Sequence, residues 1–354
     1  MLAGPAAAEW VGIDLLGERV EPGNRRELAL VTSQTFAGSF VSTPVVVARG
    51  TAAGPTLCLV AGIHGDELNG IEIVRRVLEA IDPRELRGTL IGVPIANVHG
   101  FRRSSRYLPD RRDLNRFFPG KGRGSAASRI AYRLFESVFR SCEWLVDFHT
   151  GSFHRINLPQ VRADLRNEEI RRLALEFGAD TVVHSLGSQG TLRRAASEAG
   201  IVAITYEAGE PMKLDEEEVT RGEQAVLALL QKTDLSGTQQ LMRQPPRVFF
   251  RSRWIRSDDG GILFSQVELG DAVRPGEVLG TVTDPLTNER ASIRSSYRGL
   301  VIGMAVNQVV IPGFAAFHVG LDSEAGPPDA AEETPERDEI DQLDEPFEID
   351  ERPE

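Results

Sequence analysis

Along the first two-thirds of the chain, short apolar runs alternate with stretches whose apolar positions recur every three or four residues. That alternation predicts an α/β fold, a mixed and mostly parallel sheet flanked by helices. The runs place strands at Leu28–Thr35, Val41–Val47, Thr56–Ile63, Thr89–Asn97, Trp144–His149, Thr181–His184 and Ile201–Glu207. Helical spacing places helices at Leu68–Ile81, Ser125–Arg140, Glu168–Phe177, Thr191–Ala199 and Glu216–Gln231. In the first of these, Ile71, Val74, Val77, Leu78 and Ile81 form one stripe, and Asp82-Pro83 stops the helix.

The pattern changes at Gln244-Pro245-Pro246, beyond which short β segments are separated by Gly and Asp turns. The expected organisation is a catalytic α/β domain over 1–243, a small all-β module over 244–322 and a disordered acidic tail over 323–354. The spacing of the module resembles the half-barrel of biotinyl and lipoyl carrier domains, yet no lysine occurs from Arg251 to Glu354, so a carrier role is excluded. From Glu324 to Glu354 there are 14 acidic and 2 basic residues, which accounts for the whole formal charge of -12. The rest of the chain is electrically balanced and gives no reason to invoke nucleic acid. No apolar run approaches the about 18 residues that span a bilayer, and no secretory signal is apparent, so a cytoplasmic protein without membrane contact is expected. The two cysteines, Cys58 and Cys142, lie in or beside apolar segments and read as buried free thiols in a reducing compartment.

Chemistry enters where the apolar runs end. The run from Thr56 delivers His64 and Glu67 three positions apart, and the run from Trp144 delivers His149 in the same way. Two imidazoles and one carboxylate leave the fourth position of a zinc ion open, the donor set of a catalytic site rather than a closed Cys-rich one. Asp66 and Asp147 flank these residues, and at least one is expected to orient a ligand histidine. Between the candidate ligands runs Ser105–Gly120, dense in Arg, Asp and Pro; Arg106, Asn115 and Arg116 there offer donors suited to a carboxylate. His154 is the best of the remaining histidines as a donor lining the site, and Gly120–Ser125 reads as a lead into the following helix rather than a phosphate cradle.

Four segments taken together, Gly62–Glu67 (GIHGDE), Arg112–Gly120 (RDLNRFFPG), Asp147–Gly151 (DFHTG) and Tyr206–Gly209 (YEAG), resemble the succinylglutamate desuccinylase/aspartoacylase family. The resemblance spans roughly Ser42 to Gly320. It implies a fold similar to the zinc carboxypeptidases and a single zinc ion per subunit held by His64, Glu67 and His149. It further implies Glu207 as general base and acid, Arg106 as the group polarising the scissile carbonyl, and Asn115 with Arg116 as the clamp for the substrate carboxylate. Arg111 and Arg112 compete with Arg106 for its role, and Arg193 and Tyr297 are the candidates on the acyl side. The expected activity is zinc-dependent deacylation of a small, carboxylate-bearing N-acyl amine such as an N-acyl amino acid. The alternatives are a metallocarboxypeptidase and a metal-dependent binding protein without turnover; a homo-oligomer is compatible with either.

Overall fold

The structure, a computed structural model, describes residues 10–34, 38–233, 235, 245–322 and 326. Its centre is four adjacent parallel strands, in the order Arg87–Val93, Ala52–Val60, Trp144–His149 and Val202–Gly209. Each is apolar along its inner length because helices cover both faces, and Leu57, Leu59, Val146 and Ile204 are fully buried. Helices Leu68–Ala80, Glu168–Glu176 and Glu216–Lys232 pack on one face, and Ala126–Ser137 with Leu192–Glu198 on the other. Four of the five start at side-chain caps, Ser125, Asn167, Thr191 and Asp215, whose oxygens take up the first free backbone N–H groups.

The expected elements fall close to those observed, with two differences. Strand Asn24–Gln34 pairs antiparallel with Phe40–Arg49, which pairs antiparallel with Arg87–Val93, so this edge of the sheet is antiparallel. A further strand, Arg155–Ala163, lies antiparallel beside Val202–Gly209 and has no counterpart in the pattern of apolar runs. Arg155, Asn157, Gln160 and Arg162 interrupt its apolar positions; the first three are buried in the sheet, with Arg155 bonded to Ala315 O and Gln160 to Ile302 O.

Beyond residue 245 the chain is β-rich, as the turn pattern predicts, and it continues the same sheet. Gly299–Ala305 pairs with Arg155–Ala163, Ala315–Leu321 with Gly299–Ala305, and Ser252–Arg256 with Ala315–Leu321. Arg247–Phe249 adds in parallel to Thr181–His184, and four more strands form a separate sheet on the same core. The acidic tail expected over 323–354 lies, apart from Gly326, outside the described residues. Among the described residues no helix is long and apolar enough to cross a membrane.

The free-thiol expectation is corrected: Cys58 and Cys142 form a disulfide, their Cα atoms 5.8 Å apart. The two are 84 residues apart in sequence, and the parallel pairing of Ala52–Val60 with Trp144–His149, Cys58 opposite Leu145, brings Cys142, just before the second strand, beside Cys58. The low cysteine count therefore no longer argues for a reducing compartment, since disulfides persist mainly in oxidising ones. Thiol titration of the unfolded, unreduced protein is expected to find no free thiol and, after reduction, two; two thiols before reduction would refute the pairing.

Candidate active site

His64 and Glu67 sit on the turn that leaves Ala52–Val60 and enters helix Leu68–Ala80. Gly62 opens that turn at φ 63°, a left-handed conformation that favours glycine, and sends the chain over the end of the sheet. Gly65 permits a close approach: a Cβ there would lie 2.0 Å from the carbonyl carbon of Gly100. The segment carrying Arg106 consequently rests directly on the turn, fastened by Gly65 N donating to Ser105 O at 3.1 Å. His149 ends the neighbouring parallel strand.

The three side chains meet and are buried. Glu67 Oε1 lies 2.7 Å from His64 Nδ1, Glu67 Oε2 lies 2.8 Å from His149 Nδ1, and the two Nδ1 atoms are 3.1 Å apart. On the far side of each ring stands a carboxylate. His64 Nε2 is 3.0 Å from Asp113 Oδ1, and His149 Nε2 is 3.0 Å from Asp147 Oδ2, the latter at contact distance without hydrogen-bond alignment. Carboxylates on the Nε2 side hold the proton there, which turns both Nδ1 lone pairs toward each other and toward Glu67. Three electron-pair donors facing one point in a buried interior could hold a metal ion between them. Burial opposes charge on either ring, yet Asp147 and Glu67 raise the His149 pKa well above its ordinary value, and Glu67 and Asp113 raise that of His64. The donor set and its charge fit zinc, whose nitrogen and oxygen ligands at about 2.0–2.2 Å would stand about 3.3 Å apart in a tetrahedral array.

Asp113, given no role by the sequence patterns, ties this cluster to the rest of the site. Its Oδ1 accepts from His64 Nε2 and from Asn115 N at 2.8 Å, and its Oδ2 accepts from Arg106 Nη2 at 2.9 Å and Nε at 3.2 Å. Burial would raise its pKa, but Arg106 and His64 hold it well below the usual carboxylate range. Arg106 also donates to Glu67 Oε1 at 3.1 Å, so its guanidinium is locked beside the ligand cluster. Of the competitors for its role, Arg111 is exposed, and Arg112 is half-buried and pairs with Asp110 at 3.4 Å.

Glu207 lies opposite His149 in the register of the parallel pair, so both side chains stand on one face of the sheet. Its Oε2 accepts from Asn157 Nδ2 at 3.0 Å and its Oε1 is 3.8 Å from Arg162 Nε. Asn115 uses its Oδ1 to accept from Leu192 N at 2.8 Å, pinning the 113–116 segment to the start of a helix. Gly190, at φ 85°, lets the 185–191 loop pack against the Arg116 carbonyl, where a Cβ would come within 2.2 Å. Arg193 is buried and donates to Thr205 Oγ1, Ser185 O and Ser185 Oγ.

All eight residues named as ligands, catalytic groups or substrate contacts from the sequence line one cavity of about 480 Å³. Arg162, His184 and the segments Ser185–Gln189 and Phe250–Arg253 line it too, and no sequence pattern singled them out. Arg162 lies on the strand that the apolar pattern missed, and Phe250–Arg253 belongs to the β-rich region beyond residue 245. Two expectations fail: His154 is exposed with its backbone in the left-handed region, and Tyr297 packs against the core of the β-rich region. Of the two aspartates beside the ligands, Asp147 stands against His149, while Asp113 stands against His64.

Residues 53–233 match the model of the succinylglutamate desuccinylase/aspartoacylase catalytic domain. The chain is 26% identical over 284 residues to N-alpha-acetyl-L-2,4-diaminobutyric acid deacetylase from Halomonas elongata, covering 77% of this chain and 82% of that protein. It is 28% identical over 223 residues to succinylglutamate desuccinylase from Burkholderia orbicola, covering 57% of this chain and 63% of that one. A crystal structure of a succinylglutamate desuccinylase/aspartoacylase from Rhodobacter sphaeroides shares the fold at TM-score 0.76 and 23% identity, over 86% of this chain and 98% of the other.

If Asp113 orients His64 and Arg106 together, Asp113→Asn is expected to lower metal retention or turnover about 10- to 100-fold, the usual range for partners of a metal ligand. Dialysis against chelator followed by elemental analysis reads the first and rate measurement the second; wild-type values in both would make Asp113 merely structural.

Proposed function

Since the chain belongs to the succinylglutamate desuccinylase/aspartoacylase family, we propose that it is a zinc-dependent amidohydrolase that releases an acyl group from the nitrogen of a small, carboxylate-bearing amine, an N-acyl amino acid. The observation that carries this reading is the convergence of His64, Glu67 and His149 with Glu207 beside them, at one end of a cavity lined by arginines. Relatives that act as a deacetylase and a desuccinylase support the reaction type.

A zinc ion held by His64, Glu67 and His149 supplies a Lewis acid for the amide carbonyl and acidifies water at the site. Asn115 and Arg116 present backbone-anchored donors to the substrate carboxylate, and the guanidinium fork of Arg116 matches it in two hydrogen bonds. Arg106, held rigid by Glu67 and Asp113, sets a fixed positive charge where the carbonyl oxygen gains negative charge during attack. Glu207 takes the proton of the attacking water and delivers it to the departing nitrogen, with Asn157 holding its other oxygen in place. The products are a carboxylic acid and a free amine. In this reading 1–243 carries the chemistry and 244–322 supplies a wall, Phe250–Arg253, that bounds the cavity and favours a small substrate over a peptide.

Glu207→Gln preserves shape and removes the proton acceptor. Its turnover of N-acetyl, N-succinyl or N-formyl amino acids, read as free amine release, is expected to fall about 10²–10⁴-fold with metal content unchanged. A variant as fast as wild type would place the base elsewhere. Binding without turnover in both proteins would favour a metal-dependent binding protein.

A further inference from the structure

Between His149 and the strand that starts at Arg155 the chain makes a sharp turn, and its backbone is strained. Phe153 and His154 have φ of 53° and 58°, the one place among the described residues where two consecutive non-glycine residues take the left-handed conformation. Bulky side chains rarely adopt it, and such a turn persists only where its surroundings hold it. One clamp comes from the strand of Glu207, whose last residue, Gly209, accepts through its O from Gly151 N at 3.0 Å. Gly151 itself is pressed against Arg155, where a Cβ would lie 2.2 Å from the carbonyl oxygen. The other clamp comes from the β-rich region. Just beyond strand Gly299–Ala305, Val306 N and Gln308 Nε2 both donate to His154 O, at 2.9 and 2.8 Å.

What the turn carries is the ring of Phe153. The guanidinium carbon of Arg106 lies 5.3 Å from its centroid, and the Tyr107 ring stands 6.2 Å from it on the same side chain cluster. Arg106 and Ser152 line the cavity whereas Phe153 does not, so the ring backs the guanidinium from outside the substrate space. Arg106 Nη1 is tied to Glu67, and Nε with Nη2 to Asp113, three bonds that fix the group within its own plane. They leave it free to tilt; an aromatic ring set against the guanidinium opposes the tilt. Only 10% of the Arg106 side chain stays exposed, so little water screens its charge.

We propose that Phe153 is the positioning residue for Arg106 and that Val306 and Gln308 hold it there, so that the β-rich region acts on the metal end of the cavity through one strained turn. The inference rests on the hydrolase reading above and on the role given there to Arg106. Held in one orientation, Arg106 meets the carbonyl oxygen as negative charge builds on it, which lowers the barrier without tightening the substrate.

A split between kcat and KM tests it. Phe153→Leu keeps an apolar side chain and removes the aromatic face. Its kcat on the N-acyl amino acid that the wild type hydrolyses fastest is expected to fall about 3- to 30-fold, the range of a cation–π contact, with KM and metal content unchanged. Phe153→Tyr restores the face and is expected to recover most of the rate, and Gln308→Ala is expected to lower kcat by a smaller factor. Beside Arg106→Gln, Phe153→Leu is expected to add little, since the group it positions is gone. Wild-type kcat in Phe153→Leu or in Gln308→Ala, a loss carried by KM, or the full loss persisting beside Arg106→Gln would overturn the proposal. Exchange of the Arg106 Nε proton with water, read by NMR and assigned from the Arg106 variant, separates this claim from the hydrolase reading. Exchange faster in Phe153→Leu by the same factor, with no turnover of any acylated amino acid by the wild type, would drop the hydrolase reading and keep Phe153 as the group that holds Arg106; equal exchange would overturn the proposal whatever the turnover.

Discussion

Four hydrogen bonds converge on the Asp113 carboxylate, and the site is arranged around them. One comes from a candidate metal ligand, two from the arginine beside it, and one from the backbone of the residue that begins the carboxylate clamp. Hydrogen bonds to a charged group are worth about 1.5–3 kcal/mol each, and taking one partner from a buried set leaves the others uncompensated. The loop carrying Arg106, Asn115 and Arg116 is irregular, so its order has to come from contacts of this kind rather than from a ladder of backbone bonds. Asp113 thereby converts a flexible-looking sequence into a fixed array.

The second source of precision is the sheet. His149, Glu207 and Gln160 occupy matching positions on three neighbouring strands, so their side chains share a face without help from any loop. Candidate ligand and proposed base are therefore set by the same pairing that buries the apolar residues between helices. A slip of one residue between those strands would turn Glu207 to the opposite face and bury a carboxylate among apolar side chains, which gives the register a strong energetic bias.

Much of this was legible in the amino-acid order because the parallel strands are apolar along their length and end in polar residues. Such a boundary marks both a strand end and a site, which is why His64, Glu67, His149 and Glu207 stood out and do line one cavity. The strand carrying Arg162 was hidden for the opposite reason: its polar residues are satisfied across the sheet, by partners such as Ile302 O and Ala315 O that lie more than a hundred residues away. Asp113 was lost among the many charges of its loop, since an aspartate that organises a site and one that faces water look alike until their partners are placed. The Cys58–Cys142 bond was invisible for a similar reason, as strand order brings together positions that spacing keeps apart.

The choice of arginine over lysine follows from the same burial. Of 40 basic residues only three are lysines, and none of the three lines the cavity. Desolvation and the neighbouring Arg162 lower the pKa of Arg193 to about 10, where the side chain is still charged at neutral pH. A lysine, whose ordinary pKa is about 10.4, loses its charge more readily than arginine when burial lowers its pKa. A buried position that is to keep a positive charge needs a cation that survives desolvation. The guanidinium group meets that need, and its planar fork also tolerates hydrogen bonds to neutral oxygens, as those from Arg193 to Ser185 and Thr205 show, without giving up its charge.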